Sequence, residues 1–271
     1  HARFIQHLEK QGKLSRRLEF LPSEEILSER RSAKQGLTTP ELAVLLAYSK
    51  ISLNEALLHS SLPDDPAFAP VLSAYFPAAL TQRFGERLHT HPLKREIIAN
   101  QVSNDVVNRM GSTFIFRLGE ETGVSAEHIV RAWFVATEVF NTAQVRDQIE
   151  ALDDKIPAAI QTHMLLELRK LAERATRWVL NVSKTPDVSQ LIAQFQQGVQ
   201  TLLQQAANLL PNTDYPDIER QAGQLMQAGI PEELAQIIEW ILALHNEGVS
   251  CLDFTGDGSL GGQDWEQAAK E

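Results

Sequence analysis

Two apolar seams with nearly heptad spacing, separated by a short polar stretch, constrain the fold of this chain more than any other feature. Apolar residues recur at steps of four and three over residues 160–182 and again over residues 188–209, which places each set on one face of a long helix. Pro186 ends the first helix and Asp187 caps the second, so the pair is predicted to form an antiparallel hairpin. The seam positions are Ile160, Met164, Leu168, Leu171, Ala175, Trp178 and Val182, then Val188, Ile192, Phe195, Val199, Leu202, Ala206 and Leu209.

Helix start and stop signals also recur before the seams. The predicted starts are Thr39 with Pro40, a capping box of Ser52 and Glu55, Pro77, Pro92, Ser125 and Thr142. Gly111 is a predicted C-cap. The segment from Leu42 to Tyr48 is apolar on every side and predicts a buried helix, whereas Leu80, Phe84 and Leu88 predict one inward stripe.

The chain is predicted to be all-α, because no segment alternates apolar and polar residues over more than a few positions. Two further helices are expected after the hairpin, one near residues 217–228 and one over residues 231–247. The architecture is a multi-helix bundle of three parts. Residues 1–156 form a subdomain of short to medium helices, residues 157–250 hold the hairpin and two further helices, and residues 251–271 form a tail rich in glycine and acidic residues.

Charge is distributed unevenly along the sequence. The chain carries 25 basic and 35 acidic residues, and the region after residue 184 holds only Arg220 and Lys270 against 13 carboxylates. Such an acidic end repels phosphate backbones and anionic lipids, so a nucleic-acid or membrane partner is not expected. No apolar run approaches the length of a bilayer span.

The single cysteine, Cys251, excludes an internal disulfide, and a cytoplasmic location is the default expectation. Cys251 has no nearby histidine or basic cluster that would activate it as a nucleophile. His89 and His91 have no metal-binding spacing and are interpreted as loop residues.

No catalytic constellation is recognisable. No G-x-G-x-x-G turn follows a predicted strand, and neither a P-loop nor H-E-x-x-H is present. Arg169, Arg174 and Arg177 are interleaved with glutamates and predict a solvated helix face, and Trp133 predicts a core position. No catalytic, cofactor-binding or metal-binding residue is assigned.

Two features admit a functional interpretation. Asn100, Asn104 and Asn108 form a row on one predicted helix. The row is either a polar stripe bonded to a neighbouring loop or a contact for a ligand or another domain.

The second feature is the segment from Asp253 to Asp264, which places oxygen-bearing residues and a turn glycine at the positions of a calcium loop. Its last position is Asp instead of the usual Glu, so a flexible tail is the other interpretation.

Several long strings resemble the C-terminal part of the large NAD-specific glutamate dehydrogenases of bacteria. They are LEFLPSEEIL (Leu18–Leu27), LTTPELAVLLAYSKISL (Leu37–Leu53), HPLKREIIANQVSNDVVNRMGSTFIFRLGEETG (His91–Gly123) and the run from Ile149 to Leu180 that contains ERATRWVL. The resemblance covers most of residues 4–252 and is expected to stop after Leu252. From Leu252 onward the chain turns to glycine and acidic residues.

The resemblance implies a homo-oligomeric cytoplasmic enzyme that oxidatively deaminates L-glutamate to 2-oxoglutarate with NAD. In that family the segments that bind the dinucleotide and glutamate lie N-terminal to the region matched here. We therefore expect this chain to be a structural piece that is inactive alone, binds no NAD itself, and contacts the catalytic domain of its parent chain and other subunits. The row of asparagines and the helix at Leu42 are the candidate contacts.

A free-standing helical interaction module, calcium-responsive through its tail, is the alternative from another functional class. The two interpretations differ at the start of the chain. Here the chain begins with His1 instead of an initiator methionine and reaches FIQHLEK at Phe4, which favours a piece of a longer protein.

We expect Leu168→Asp to unfold the hairpin region, because a buried carboxylate without a partner costs several kcal/mol. Thermal unfolding followed by circular dichroism measures the effect. A variant that melts within about two degrees of the parent chain would show that Leu168 does not lie on a buried seam.

Overall fold

The computed structural model of the chain describes residues 1–209, 220 and 223–238, and within these residues the regular secondary structure is helical. The α-helices are α1 (Ala2–Lys10), α2 (Glu24–Ser32), α3 (Thr39–Leu58), α4 (Ala69–Tyr75), α5 (Ala78–Leu88), α6 (Lys94–Met110), α7 (Phe114–Thr122), α8 (Ala126–Val139), α9 (Thr142–Glu150), α10 (Ala158–Val182) and α11 (Val188–Leu209). Two short 3-10 turns, Leu62–Asp64 and Pro66–Phe68, precede α4, and residues 223–227 and 232–238 are also helical. The predicted all-α class is confirmed.

The chain forms two compact units that divide between Val130 and Arg131, inside α8. The predicted tripartite division with a boundary at residue 156 stays a prediction. The segment from residue 251 onward lies outside the described residues.

In the first unit, α3 and α4 both pack along α6. Arg95, near the start of α6, donates hydrogen bonds to the main-chain oxygens of Leu58 (2.8 Å) and Ser60 (3.0 Å) and pairs with Asp64. These bonds satisfy carbonyls at and just beyond the end of α3, where no further helical turn supplies N–H donors. Arg95 therefore ties the end of α3 to α6.

A second cluster in the same unit forms around α1. Its buried members are Phe4, Ile5, Leu8, Leu14, Leu21 and Leu45, and Leu27, Leu37, Val44, Tyr48 and Phe116 pack against it. The N-terminal half of α3 thus packs against α1 and its following loop.

The second unit contains the two predicted seams. Met164, Leu168, Leu171 and Ala175 of the first seam are buried, as are Val188, Phe195 and Val199 of the second. The rings of Trp178 and Phe195 lie 4.8 Å apart between centroids, so α10 and α11 meet near the loop that joins them. The antiparallel arrangement along the whole hairpin stays a prediction.

Residues near the loop depart from the seam pattern. Val182 is exposed because α10 ends there and Ser183 is already extended. The Asp187 carboxylate accepts a hydrogen bond from the Gln190 amide at 2.9 Å, which confirms the predicted cap of α11. Leu168 is 1% exposed and Leu166 is 44% exposed, so Leu166→Asp is a matched control for Leu168→Asp.

Several predicted helix boundaries shift in the structure. The N-cap of α3 is Thr38 instead of Thr39, because the Glu41 carboxylate accepts the Thr38 amide at 2.7 Å. Ser52 and Glu55 do not begin a new helix, since α3 continues through them while Leu53 and Leu57 pack inside the unit.

The predicted stripe of α5 is also wrong in part. Phe84 has non-helical angles (φ −129°, ψ 17°), and this kink breaks the helical spacing of the stripe. Leu88 is buried, whereas Leu80 is exposed. Pro77 occupies the N-cap of α5 rather than its first turn.

Other predicted signals agree with the structure. Ser125 Oγ accepts the His128 amide at 3.4 Å at the start of α8, and α9 begins at Thr142. Gly229, the predicted stop before residue 231, has a φ of +94°. Gly111 ends α6 with φ +88° and ψ 167°, and its amide donates to the Val107 carbonyl.

We expect Gly111→Ala to lower the free energy of unfolding by about 1–3 kcal/mol, because a residue with a Cβ is strained at this φ and ψ. Gly36→Ala is the matched control, because Gly36 has no atom within 4 Å of an added Cβ and no positive φ. Chemical denaturation of both variants measures the difference. Equal losses would contradict a specific role of Gly111 in ending α6.

Candidate interaction surface

One stripe of α3, apolar except at Ser49, is buried at one end only. Its members are Leu42, Leu46, Ser49, Leu53 and Leu57, at steps of four, three, four and four residues. Leu53 and Leu57 are 3% and 0% exposed, whereas Leu42 and Leu46 are 38% and 37% exposed. We call Leu42 and Leu46 the open end of the α3 stripe.

The open end corrects the prediction of a fully buried helix over Leu42 to Tyr48. From Leu42 to Tyr48, α3 is apolar around its whole circumference, but the first unit covers only part of that circumference. In the N-terminal half the covered side consists of Val44, Leu45 and Tyr48, which pack on the α1 cluster. A helix that is apolar all round is normally buried on all sides. The open end departs from this rule, since Leu42 and Leu46 are exposed to solvent.

The N-terminal end of α3 is held by a charged side chain. Arg30 Nη1 donates to both carboxylate oxygens of Glu41, at 3.0 and 2.7 Å, and the Thr38 amide donates to the same carboxylate. Desolvation raises the pKa of Glu41, but the bonds from Arg30 and Thr38 outweigh it, so the pKa lies below its ordinary value. Glu41 therefore stays ionised and anchors α3 to α2.

Tyr48 joins α3 to the loop that follows α1. Its hydroxyl donates to Glu19 Oε1 at 2.7 Å, and this bond, together with desolvation, raises the pKa of the Tyr48 phenol. The same loop carries two outward apolar side chains, Leu18 and Phe20.

Phe20 is 90% exposed and has a φ of +54°, which is uncommon for an aromatic residue. The loop around it is well anchored. Arg16 donates to Glu9 at 2.8 Å and to the Pro22 carbonyl at 3.2 Å, and it also pairs with Glu24. Phe20 is thus an exposed aromatic ring on a braced loop. Sequence reasoning did not single out Leu18 or Phe20, since an apolar residue in a loop gives no periodic signal.

The predicted asparagine row lies on the surface of α6. Asn104 Nδ2 donates to the main-chain oxygen and to Oδ1 of Asn100, both at 3.0 Å, so this contact lies within the helix and not with a loop. Asn100 and Asn108 are exposed. A contact of this row with another domain stays a prediction.

The other residues considered in the sequence analysis lie at a helix end, in local bonds or in the core. His89 is exposed at the end of α5, and His91 Nδ1 accepts the Leu93 amide at 3.1 Å. Arg177 pairs with Glu173 one turn away at 2.9 Å, whereas Trp133 is buried in the second unit as predicted.

The sequence assigns no metal-binding residue and contains no apolar run of bilayer length. Over the residues that the structure describes, no group of three or more His, Cys, Asp or Glu residues has a metal-binding arrangement. Within the same part of the chain, no helix has both the length and the hydropathy of a bilayer span. Cys251 and the calcium-loop segment from Asp253 to Asp264 lie outside the described residues.

We expect Glu41→Gln to destabilise the chain by about 1 kcal/mol at neutral pH, since it weakens the cap of α3 and the pairing with Arg30. Because the pKa of Glu41 is lowered in the folded state, its contribution is present above the pKa of the unfolded chain. The contribution is lost as the pH falls through the folded value.

Denaturation of the parent chain and of Glu41→Gln between neutral and acidic pH tests this dependence. The two stabilities should converge on acidification. A difference that is constant over the whole range would contradict the role of the ionised carboxylate. Glu25→Gln, in the exposed first turn of α2, is the control.

Comparisons with known proteins agree with the resemblance noted from the sequence. The family model described as glutamate dehydrogenase, C-terminal, matches residues 34–269. The NAD-specific glutamate dehydrogenase of Pseudomonas aeruginosa is 40% identical over 271 residues, which are 100% of this chain and 16% of that protein. Those of Halomonas elongata and Mycobacterium tuberculosis are 38% and 36% identical, cover 88% and 87% of this chain, and are themselves covered over 15% and 14% of their lengths.

These matches correct the expected end of the similarity and establish the family. The similarity does not stop after Leu252, since the family model extends to residue 269 and the Pseudomonas protein aligns with the whole chain. The chain spans about one sixth of the length of the relatives that it matches. A helical chain matched over most of its length by this family model, with relatives at this level of identity, belongs to the glutamate dehydrogenase C-terminal family.

Proposed function

We propose that this chain is a non-catalytic helical region of an NAD-dependent glutamate dehydrogenase. The parent protein would oxidise L-glutamate to 2-oxoglutarate and ammonia and transfer hydride to NAD. The names of the relatives support this assignment, as does the small share of each relative that the chain covers. We further propose that the parent is a cytoplasmic homo-oligomer and that this region itself binds no NAD.

The role that we propose for the region is mechanical. The open end of the α3 stripe would pack against the catalytic part of the parent chain and hold it in place. The observation that carries this proposal is that one stripe of α3 is buried at Leu53 and Leu57 and exposed at Leu42 and Leu46. Covering both exposed leucines would contribute about 1 kcal/mol each, since each is already more than half buried.

The bonds around the open end support a docking role. Glu41 pairs with Arg30 one residue before Leu42, and Tyr48 bonds to Glu19 two residues after Leu46. Because α3 is held on its inner side by these bonds, little conformational freedom remains for a partner to remove. The exposed leucines therefore form a preorganised surface.

The double variant Leu42→Gln, Leu46→Gln tests the proposal in the longer protein. We expect the variant to lose most of its glutamate-dependent reduction of NAD, or to lose thermal stability, because the docking contact is removed while helix propensity is kept. In the isolated chain the same variant should lose less stability than Leu53→Gln, because Leu42 and Leu46 are 38% and 37% exposed there and Leu53 is 3% exposed.

Ile51→Gln is the matched control, since Ile51 is an exposed apolar residue of α3 that does not belong to the stripe. Its activity and melting temperature in the longer protein should equal those of the parent. If the double variant also retained full activity and full stability, docking through the open end would be refuted.

A further inference from the structure

A cleft of about 230 Å³ opens in the first unit beside the C-terminal half of α3. The open end lies in the N-terminal half of the same helix. Its walls come from α1, the C-terminal half of α3, the end of α6 and the start of α7. Buried apolar side chains form the floor, among them Phe4, Leu8, Leu53 and Val107. An apolar cleft that joins four helices is a common form of small-molecule site.

One wall of the cleft is aromatic. The Phe116 ring lies 5.4 Å from the Phe4 ring and 4.9 Å from the His7 ring, measured between centroids, and all three rings line the cleft. Tilted ring pairs of this kind leave faces and edges on which a further flat ring can pack. The wall therefore favours an aromatic occupant over a branched aliphatic one.

The charge at the cleft is balanced. Among the residues that line the cleft, Lys13 carries a permanent positive charge. Its ammonium group donates a hydrogen bond to the Glu55 carboxylate at 2.7 Å. Neither an anionic nor a cationic group of a ligand would find an unpaired opposite charge there. Burying an ionised group without such a partner is costly, so the cleft selects for a neutral molecule.

One polar pair provides a hydrogen-bonding position at the edge of the cleft. His7 Nε2, in the last turn of α1, and Gln11 Nε2, directly after that helix, lie 3.0 Å apart, and both residues line the cleft. The amide of Gln11 keeps further donor and acceptor capacity after this bond. A ligand with one donor or acceptor group can therefore be oriented at this edge.

We propose that this cleft is a binding site for a small neutral aromatic molecule with one or two rings and one hydrogen-bonding group. The size is consistent with such a ligand, since an apolar cavity of about 150 Å³ is sufficient to bind benzene. The site would bridge α1, α3, α6 and α7, so that occupancy would stabilise the first unit. This inference does not depend on the docking role of the open end.

Indole is a suitable probe, with benzoate and benzylamine as charged aromatic probes of similar size. Titration of the 271-residue chain is followed by protein-observed NMR. We expect saturable indole binding with intermolecular contacts to Phe116 and Leu53, and at least about tenfold weaker binding of both charged probes. Absence of saturable binding at millimolar indole would overturn the proposal, as would contacts located elsewhere or equal binding of the charged probes.

Two variants on one helix separate binding in the cleft from binding elsewhere. Ala56 is exposed and lines the cleft, whereas Ala47 is exposed on α3 and does not line it. Ala56→Phe should fill the opening and weaken indole binding at least about tenfold, while Ala47→Phe should leave the affinity within about twofold of the parent. Equal affinities of the two variants would contradict the site.

The contacts of indole with the unsubstituted chain decide the question even if Ala56→Phe does not fold. The melting temperature gives a second readout in that chain. It should rise with indole concentration by mass action, because indole binds the folded state. An unchanged melting temperature at saturating indole would count against binding to the folded first unit.

Discussion

The packing of α3 along α6 is the contact on which the first unit depends. Leu53 and Leu57 bring the C-terminal half of α3 into the core, while Ile98, Val102 and Val106 form the buried face of α6. The burial of these large apolar side chains is the main favourable term for the unit. The same helix is left uncovered at its other end, so the contact that stabilises the unit also defines the surface proposed for docking.

Arginine side chains with several acceptors hold the ends of these helices and the loop after α1. Arg95 joins the end of α3 to α6, Arg30 joins α2 to the start of α3, and Arg16 braces the loop after α1. A guanidinium group has five donors in a planar arrangement, so one arginine can bond to carboxylates and to main-chain oxygens at once. Isolated ion pairs at the surface contribute little, but Arg95 and Arg16 also satisfy main-chain carbonyls of loops and helix ends.

The two proposed sites use different parts of α3. The open end lies at Leu42 and Leu46, whereas the cleft is lined by Ser49, Leu53 and Ala56 farther along the same helix. A ligand in the cleft would contact the buried half of the stripe whose exposed half is proposed to dock. Both proposals therefore place their contacts on α3.

The sequence by itself determined the helical class, the buried positions of the seams around Leu168 and Phe195, and the caps at Asp187 and Gly111, because periodicity and capping are local properties. It also determined the family, through long strings of residues rather than through a catalytic motif.

Only the tertiary structure decided which apolar residues stay exposed. Leu42 and Leu53 lie on the same stripe and are equally apolar, and only the neighbours that pack around them make one exposed and the other buried. The same holds for Phe20, which is exposed on the loop that Arg16 braces, and for the cleft, whose walls come from helices far apart in sequence. Burial and cavities depend on contacts between distant residues, and local sequence patterns do not specify those contacts.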